Sequence, residues 1–148
     1  MSDEMVANGM LGMMESKTIT LSVAVASATV YEFASNPENL PLWSPSFCQS
    51  ISQADGEWIA ESALGQAAVT FVQTNAFGVL DHIVRLSAAL EVYNAMRVIP
   101  NGSGSEVMFT LFRTSGMSEV NYADDATHVE NDLRTLKHLL ETRYNVER

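Results

Sequence analysis

Hydrophobic and polar residues alternate one by one from Thr18 to Ala26. The apolar positions in this segment are Ile19, Leu21, Val23 and Val25. Successive side chains of a strand point to opposite faces, so a period of two predicts a strand with one buried face. The alternation ends at Ala26, and a different spacing follows.

Two short helical segments are predicted next. Ser27 is a candidate N-cap for a helix over residues 28–35. The inner stripe of this helix consists of Val30, Phe33 and Ala34. Asn36 is expected to cap a second helical turn, because Pro37 then takes the first helical position, where a missing N–H costs little.

Several short strands follow, each bounded by turn residues. They are predicted at Phe47–Gln53, Glu57–Ser62, Gln66–Thr74, Val79–Leu86, Val92–Ile99 and Ser105–Arg113. Asp55 and Gly56 separate the first two segments and form a strong signal for a tight hairpin. The sequence Pro-Asn-Gly-Ser-Gly at 100–104 separates the last two. Strands joined by such turns are antiparallel neighbours.

Apolar residues recur every three or four positions from about Ser118 onwards. They form one stripe of Tyr122, Ala126, Val129, Leu133, Leu136 and Leu140. This period predicts a helix of about 20 residues, roughly 30 Å long, which is enough to cross a whole sheet. One helix covers only one face, so the sheet must curl around it. We therefore predict an α+β fold in which a curved antiparallel sheet of about seven strands wraps around a long C-terminal helix.

Composition narrows the class of protein. The chain has 148 residues, 47% hydrophobic and 18% charged, which suits a single domain. We place that domain at 17–145, after a tail at 1–16 that is expected to be disordered. Cys48 is the only cysteine, which excludes an internal disulfide and favours the reducing cytoplasm. A net charge of −10 without a Lys/Arg cluster argues against nucleic acid or a membrane as partner.

Four segments carry a resemblance to a known superfamily. ENLPLWSPSF (38–47), NAFGVLDH (75–82), MRVIPNGSGSEVMFTLFR (96–113) and DLRTLKHLLE (132–141) resemble a bacterial branch of the SRPBCC proteins. This superfamily is also called START-like, Bet v 1-like or polyketide cyclase/dehydrase-like. The resemblance implies a helix-grip fold with a cavity between the sheet and the long helix. The metal ligands of an oxygenase and the Cys-x-His motif of a Rieske protein are absent from the sequence.

The resemblance implies function only broadly, because the superfamily includes binders, cyclases and co-chaperones. The leading hypothesis is a protein that binds a small hydrophobic molecule, with cyclase- or dehydratase-like chemistry as an extension. An alternative is a co-chaperone-like module that binds a protein partner and has an incidental cavity. A third hypothesis is a ligand-gated accessory protein without catalysis.

His82 is the strongest candidate site residue. Alternation places it with Leu80 and Val84 on an apolar face that should point inward. Its imidazole would hydrogen-bond a ligand carbonyl or act as a general base near neutral pH. The alternative is a buried histidine satisfied by a backbone carbonyl or water. A dyad with Asp81 is rejected for a regular strand, because adjacent side chains point apart and Asp81 should lie outside, near Arg85.

The register of the last hairpin decides which face Arg97 occupies. Pairing Pro100 with Ser105 places Arg97 on the outer face, near Glu106, and a slip by one residue would reverse this. The same register gives an inner set of Asn94, Met96, Val98, Val107, Phe109 and Leu111. Apolar residues remain on the outer face, which favours a homodimer; they are Tyr93, Ile99, Met108 and Phe112.

The remaining candidate ligand-binding residues are large or polar members of the inner faces. They are Trp43, Trp58, Asn94, Met96 and Phe109, in addition to His82. Cys48 has no activating neighbour and is interpreted as inert. The three histidines, His82, His128 and His138, lack the spacing of metal ligands, so no metal site and no cofactor are expected.

Overall fold

One seven-stranded antiparallel sheet forms the body of the computed structural model, which describes residues 12–63 and 65–144. The spatial order of its strands is β1-β7-β6-β5-β4-β3-β2. The strands are β1 (Ser16–Val23), β2 (Ser50–Ala54), β3 (Glu57–Ser62), β4 (Gly65–Phe71), β5 (His82–Ser87), β6 (Leu90–Asn101) and β7 (Gly104–Phe112). The helices are α1 (Ser27–Ala34), a 3₁₀ turn (Pro37–Asn39), α2 (Leu40–Trp43) and α3 (Glu119–Arg143). The predicted fold class is confirmed.

Helix α3 lies on the concave face of the curved sheet, beside β1 and β7. Its stripe residues Leu133, Leu136 and Leu140 are at most 1% exposed. Burying a leucine side chain contributes about 1.5–3 kcal/mol, so this stripe holds the helix on the sheet. Two polar contacts add a tether at the end of β1: Lys137 Nζ donates to the carbonyl of Ser22 at 2.8 Å, and Glu141 accepts from the Ala24 N–H at 2.8 Å.

Both predicted hairpins are confirmed. Asp55 and Gly56 adopt positive φ angles of 53° and 82° in the turn between β2 and β3, as a tight turn of this type requires. Pro100 pairs with Ser105 between β6 and β7, which is the predicted register. The inner and outer faces of this hairpin therefore stand as expected. Tyr93, Ile99 and Phe112 are exposed on the outer face.

Several predicted boundaries and one predicted cap are wrong. β1 begins two residues and ends three residues earlier than predicted. β2 begins at Ser50 and not at Phe47, because the Cys48 N–H still bonds back to the Ser44 carbonyl at the end of α2. Ser27 lies inside α1; Ala26 is the N-cap and supplies no side-chain bond. Asn36, in contrast, accepts from the Glu38 N–H at 3.1 Å, as expected of a cap.

The ends of the chain lie partly beyond the described ranges. Residues 1–11 of the predicted tail, position 64 and the predicted domain end at 145 are outside them. Glu15 already bonds to the sheet, because its carbonyl accepts from the Arg113 N–H at 2.8 Å. Within the described ranges, no helix has the length and apolar character needed to cross a membrane.

Candidate functional site

A cavity of about 230 Å³ lies between α3, α2 and the concave face of the sheet. Its wall consists of Leu40, Trp43, Ser44, Ser46, Phe47, His82, Val84, Asn94, Phe109, Leu111, Asp125, His128, Val129, Asp132 and Leu133. The structure thus brings together Trp43, His82, Asn94 and Phe109 from the sequence-based set. It does not bring in the other two. Met96 is fully buried in the core, and Trp58 is half-buried on β3, away from this cavity.

His82 is 7% exposed and its orientation is fixed. Its Nδ1 lies 3.0 Å from the Leu80 carbonyl oxygen, and a carbonyl only accepts, so Nδ1 carries the proton. The ring stacks on Phe71 with centroids 4.8 Å apart, and the edge of Phe109 meets it at 6.2 Å. Nε2 has no hydrogen-bond partner in the part of the chain that the structure describes.

The protonation state of His82 follows from its surroundings. Burial lowers its pKa below 6.5, against the opposing effects of the Leu80 carbonyl and the charge of Asp81. The imidazole is therefore neutral at pH 7, with Nδ1 as donor and Nε2 as a lone-pair acceptor. This sharpens the sequence-based hypothesis. A neutral ring in this tautomer accepts from a ligand hydroxyl or takes up a proton, but it cannot donate to a ligand carbonyl.

Asp81 lies on the outer face, as predicted, but it is buried there and does not pair with Arg85. It is 3% exposed, beneath Tyr93 and Arg97 on the convex face. Arg97 donates to both of its oxygens at 3.1 and 2.9 Å, Tyr93 donates at 2.5 Å, and the Met96 N–H donates at 2.9 Å. Burial alone would raise the pKa of Asp81, but these hydrogen bonds hold it below its ordinary value.

The predicted partners of the two arginines are therefore wrong. Arg97 is on the outer face, as expected, but it pairs with Asp81 and not with Glu106. Arg85 pairs with Glu57 at 2.9 Å. Glu106 instead accepts hydrogen bonds from Ser22 and Asn101, which lower its pKa. Alternation along a strand gives the face but not which neighbour a long side chain reaches.

The helical side of the cavity is polar, which the sequence analysis missed. Asp125, His128 and Asp132 face it from α3. Burial raises the pKa of the Asp132 and Asp125 carboxyls. At Asp132 this effect is opposed by hydrogen bonds from the hydroxyls of Ser44 and Ser46, at 2.7 and 3.1 Å. A signal was present in the sequence: the three residues are spaced by three and four, so they share one side of the helix.

Further features of the cavity and its surroundings bear on what it can hold. Trp43 is 3% exposed, and its Nε1–H has no hydrogen-bond partner among the described residues, which is unusual for a buried donor. No three His, Cys, Asp or Glu side chains in the described ranges converge closely enough for a metal ion. Cys48 is buried away from the cavity, and burial raises the pKa of its thiol to about 11.

A second hollow of about 410 Å³ adjoins the cavity through the shared wall residues Asn94, Leu111 and Asp125.

Comparison with known proteins places the fold. Neither protein-family profiles nor curated protein sequences give a match. Solved structures do, at low sequence identity. A START superfamily protein from Mycobacterium smegmatis has a TM-score of 0.65 and 13% identity, and the match covers 86% of this chain and 97% of that one. Ara h 8.0201 gives a TM-score of 0.67 and 13% identity, covering 88% and 99%.

A third similar structure is the di-domain ARO/CYC protein BexL from the BE-7585A biosynthetic pathway. Its TM-score is 0.66 at 17% identity, and the match covers 86% of this chain and 47% of BexL. The chain therefore has the START-like, Bet v 1-like helix-grip fold that the sequence resemblance implied. Similarity at this identity establishes the fold alone, and function has to be argued from the cavity.

Proposed function

We propose that this protein binds a small, largely apolar molecule in the 230 Å³ cavity, with His82 as its polar anchor. The observation that carries the proposal is an unpartnered Nε2 on a fixed, neutral and nearly buried imidazole in the cavity wall. Nε2 is not among the fully enclosed polar atoms that lack a partner, so it is open to the cavity, where a ligand group can reach it.

The volume limits the size of the ligand. A cavity of about 150 Å³ accommodates benzene. A cavity of about 230 Å³ therefore suits a compound that has a single ring or two fused rings. The aromatic faces of Phe109, Trp43 and Phe47 favour a planar ring system. A longer substituent would extend into the adjoining hollow past Asn94.

Cyclase- or dehydratase-like chemistry is the catalytic extension of this proposal. Nε2 of His82 is positioned to accept a proton from a bound substrate, which is the role of a general base in such reactions. The similarity of the fold to the ARO/CYC protein supports this extension. The proton taken up by Nε2 would then return to the leaving hydroxyl group, which departs as water.

Native mass spectrometry of the purified protein tests the binding proposal. We expect a co-purified or added aromatic compound to form a one-to-one complex with the wild type. The His82→Phe variant should bind that compound more weakly. His138→Phe is the matched control, because His138 lies on the exposed side of α3. Equal retention of the compound by the wild type and His82→Phe would remove His82 from the site. Failure of every one- and two-ring compound to bind would refute the proposed function.

The convex face favours a second candidate function, self-association or binding of a protein partner. Tyr93, Ile99 and Phe112 are 50%, 43% and 36% exposed there. Light scattering coupled to size exclusion tests whether the protein is a homodimer, and Ile99→Lys should then give a monomer. A monomeric wild type would refute self-association through this face. The buried free thiol of Cys48 supports the cytoplasm as the proposed location.

A further inference from the structure

The ladder between β6 and the segment leading into β5 has one irregular step. Val98 N–H donates to the Gly78 carbonyl at 3.0 Å, and Leu80 N–H donates to the Met96 carbonyl at 2.8 Å. In an antiparallel ladder, the two residues of such a pair exchange both of their hydrogen bonds. The Met96 N–H should therefore donate to the Leu80 carbonyl. It donates instead to Oδ1 of Asp81 at 2.9 Å.

The consequence appears on the other face of the strand. The Leu80 carbonyl, relieved of its ladder partner, accepts the Nδ1–H of His82 at 3.0 Å. Asp81 and His82 are adjacent in sequence and point to opposite faces, so they make no direct dyad. They are connected instead through the backbone. The carboxylate replaces a carbonyl in the ladder, and the freed carbonyl fixes the imidazole.

We propose that Asp81 is a positioning residue that fixes the tautomer of His82, and that the cavity therefore selects a ligand with a hydrogen-bond donor, such as an aromatic alcohol. The second part rests on the proposed function, whereas the first is a property of the protein alone. With Nδ1–H held by the Leu80 carbonyl, Nε2 presents only a lone pair to the cavity. A ligand hydroxyl satisfies it, and a ligand carbonyl does not.

The remaining cavity wall excludes a competing class of ligand. An acidic ligand would need a cation or several N–H donors. The wall contains no Lys or Arg among the described residues, and it presents the carboxyls of Asp125 and Asp132. The net charge of −10 acts in the same direction. An uncharged aromatic alcohol therefore fits better than an aromatic carboxylate.

Two substitutions of Asp81 separate positioning from simple ion pairing. Asp81→Asn loses the charge but keeps an oxygen that accepts from the Met96 N–H, so the ladder step should stay open. Asp81→Leu keeps the size but cannot accept, so the Met96 N–H should return to the Leu80 carbonyl and compete there with the Nδ1–H of His82. Arg97→Met is the control, because it removes the ion pair and leaves both oxygens of Asp81 in place.

The readout is the ¹⁵N NMR spectrum of the His82 ring in the protein without ligand. We expect a fixed Nδ1–H tautomer in the wild type, Asp81→Asn and Arg97→Met, and a mixture of tautomers in Asp81→Leu. A fixed tautomer in Asp81→Leu would overturn the positioning role, as would a mixture in the wild type. If Asp81→Leu does not fold, Asp81→Ser takes its place, since its shorter side chain does not span the same distance to the Met96 N–H.

Binding of 2-naphthol, naphthalene and 2-naphthoate tests the ligand class. One hydrogen bond of ordinary strength predicts that 2-naphthol binds the wild type about three- to tenfold more tightly than naphthalene. His82→Phe should abolish this preference while still binding naphthalene, and 2-naphthoate should bind most weakly. Equal affinity for 2-naphthol and naphthalene would refute the donor requirement. Absence of binding by all three, with the tautomer fixed, would refute the proposed function but not the role of Asp81.

Discussion

Gly78 offers a sharp test of how the segment before His82 is held. Gly78 has a φ of +73°, and a Cβ added there would lie 2.0 Å from the carbonyl oxygen of Val98. A side chain in this left-handed conformation costs roughly 1–2 kcal/mol. The clash also forces the strands apart and breaks the Val98 N–H hydrogen bond to Gly78, at about 0.5–1.5 kcal/mol. Gly78→Ala should therefore lower the free energy of unfolding by roughly 1.5–3.5 kcal/mol.

Urea denaturation of Gly78→Ala measures this loss, and Gly102→Ala is the matched control. Gly102 also has a positive φ, of +60°, but an added Cβ there meets nothing within 4 Å. The control should lose only the conformational part, roughly 1–2 kcal/mol. The difference between the two variants is then the cost of the clash. Equal losses at the two positions would refute the argument that close approach of β6 fixes this segment.

Three other predictions concern protonation, reactivity and capping. The unfolding free energy should decrease as the pH falls below about 6.5, because the unfolded chain protonates His82 while the folded protein, in which burial lowers the pKa, resists it. His82→Phe should flatten that part of a urea-derived stability curve, and an unchanged slope would contradict it. Cys48 should react with a thiol reagent at mildly alkaline pH only after denaturation, because burial raises its pKa to about 11; rapid labelling of the native protein would show otherwise. Ser118→Ala should cost about 1 kcal/mol, since Ser118 Oγ caps α3 at the Asn121 N–H at 3.0 Å, whereas Ser27→Ala should cost little; similar thermal shifts would disprove the distinction.

Local patterns were sufficient for most of the fold. Alternation placed His82 on the inner face of its strand, and the turn residues at Asp55-Gly56 fixed the first hairpin. The structure has the register of Pro100 with Ser105 from which the faces of the last hairpin were predicted, whereas alternation alone had left a slip by one residue open. The first two features are predictable because they depend on residues close together in sequence.

The candidate site was predictable only in part. Four of the six predicted ligand-binding residues line the cavity, and the two others, Trp58 and Met96, share its face of the sheet but lie beyond its wall. Inward orientation is a local property, whereas the position of a cavity depends on where α3 crosses the sheet. That crossing also brings Asp125 and Asp132 to the wall, which no strand pattern indicates.

The sequence by itself determined the order of elements, the faces of the strands and the curled sheet around one long helix. Periodicity dictates these, because burial of an apolar face is the same requirement wherever the partner lies. Only the tertiary structure decided that Asp81 is buried under Arg97 and that its carboxylate replaces the Leu80 carbonyl in the ladder. The burial of Asp81 depends on β6 lying beside it, and the changed ladder depends on the Met96 N–H donating to Asp81 in place of the Leu80 carbonyl. The tautomer of His82, and with it the proposed chemistry of the cavity, follows from this contact between distant parts of the chain.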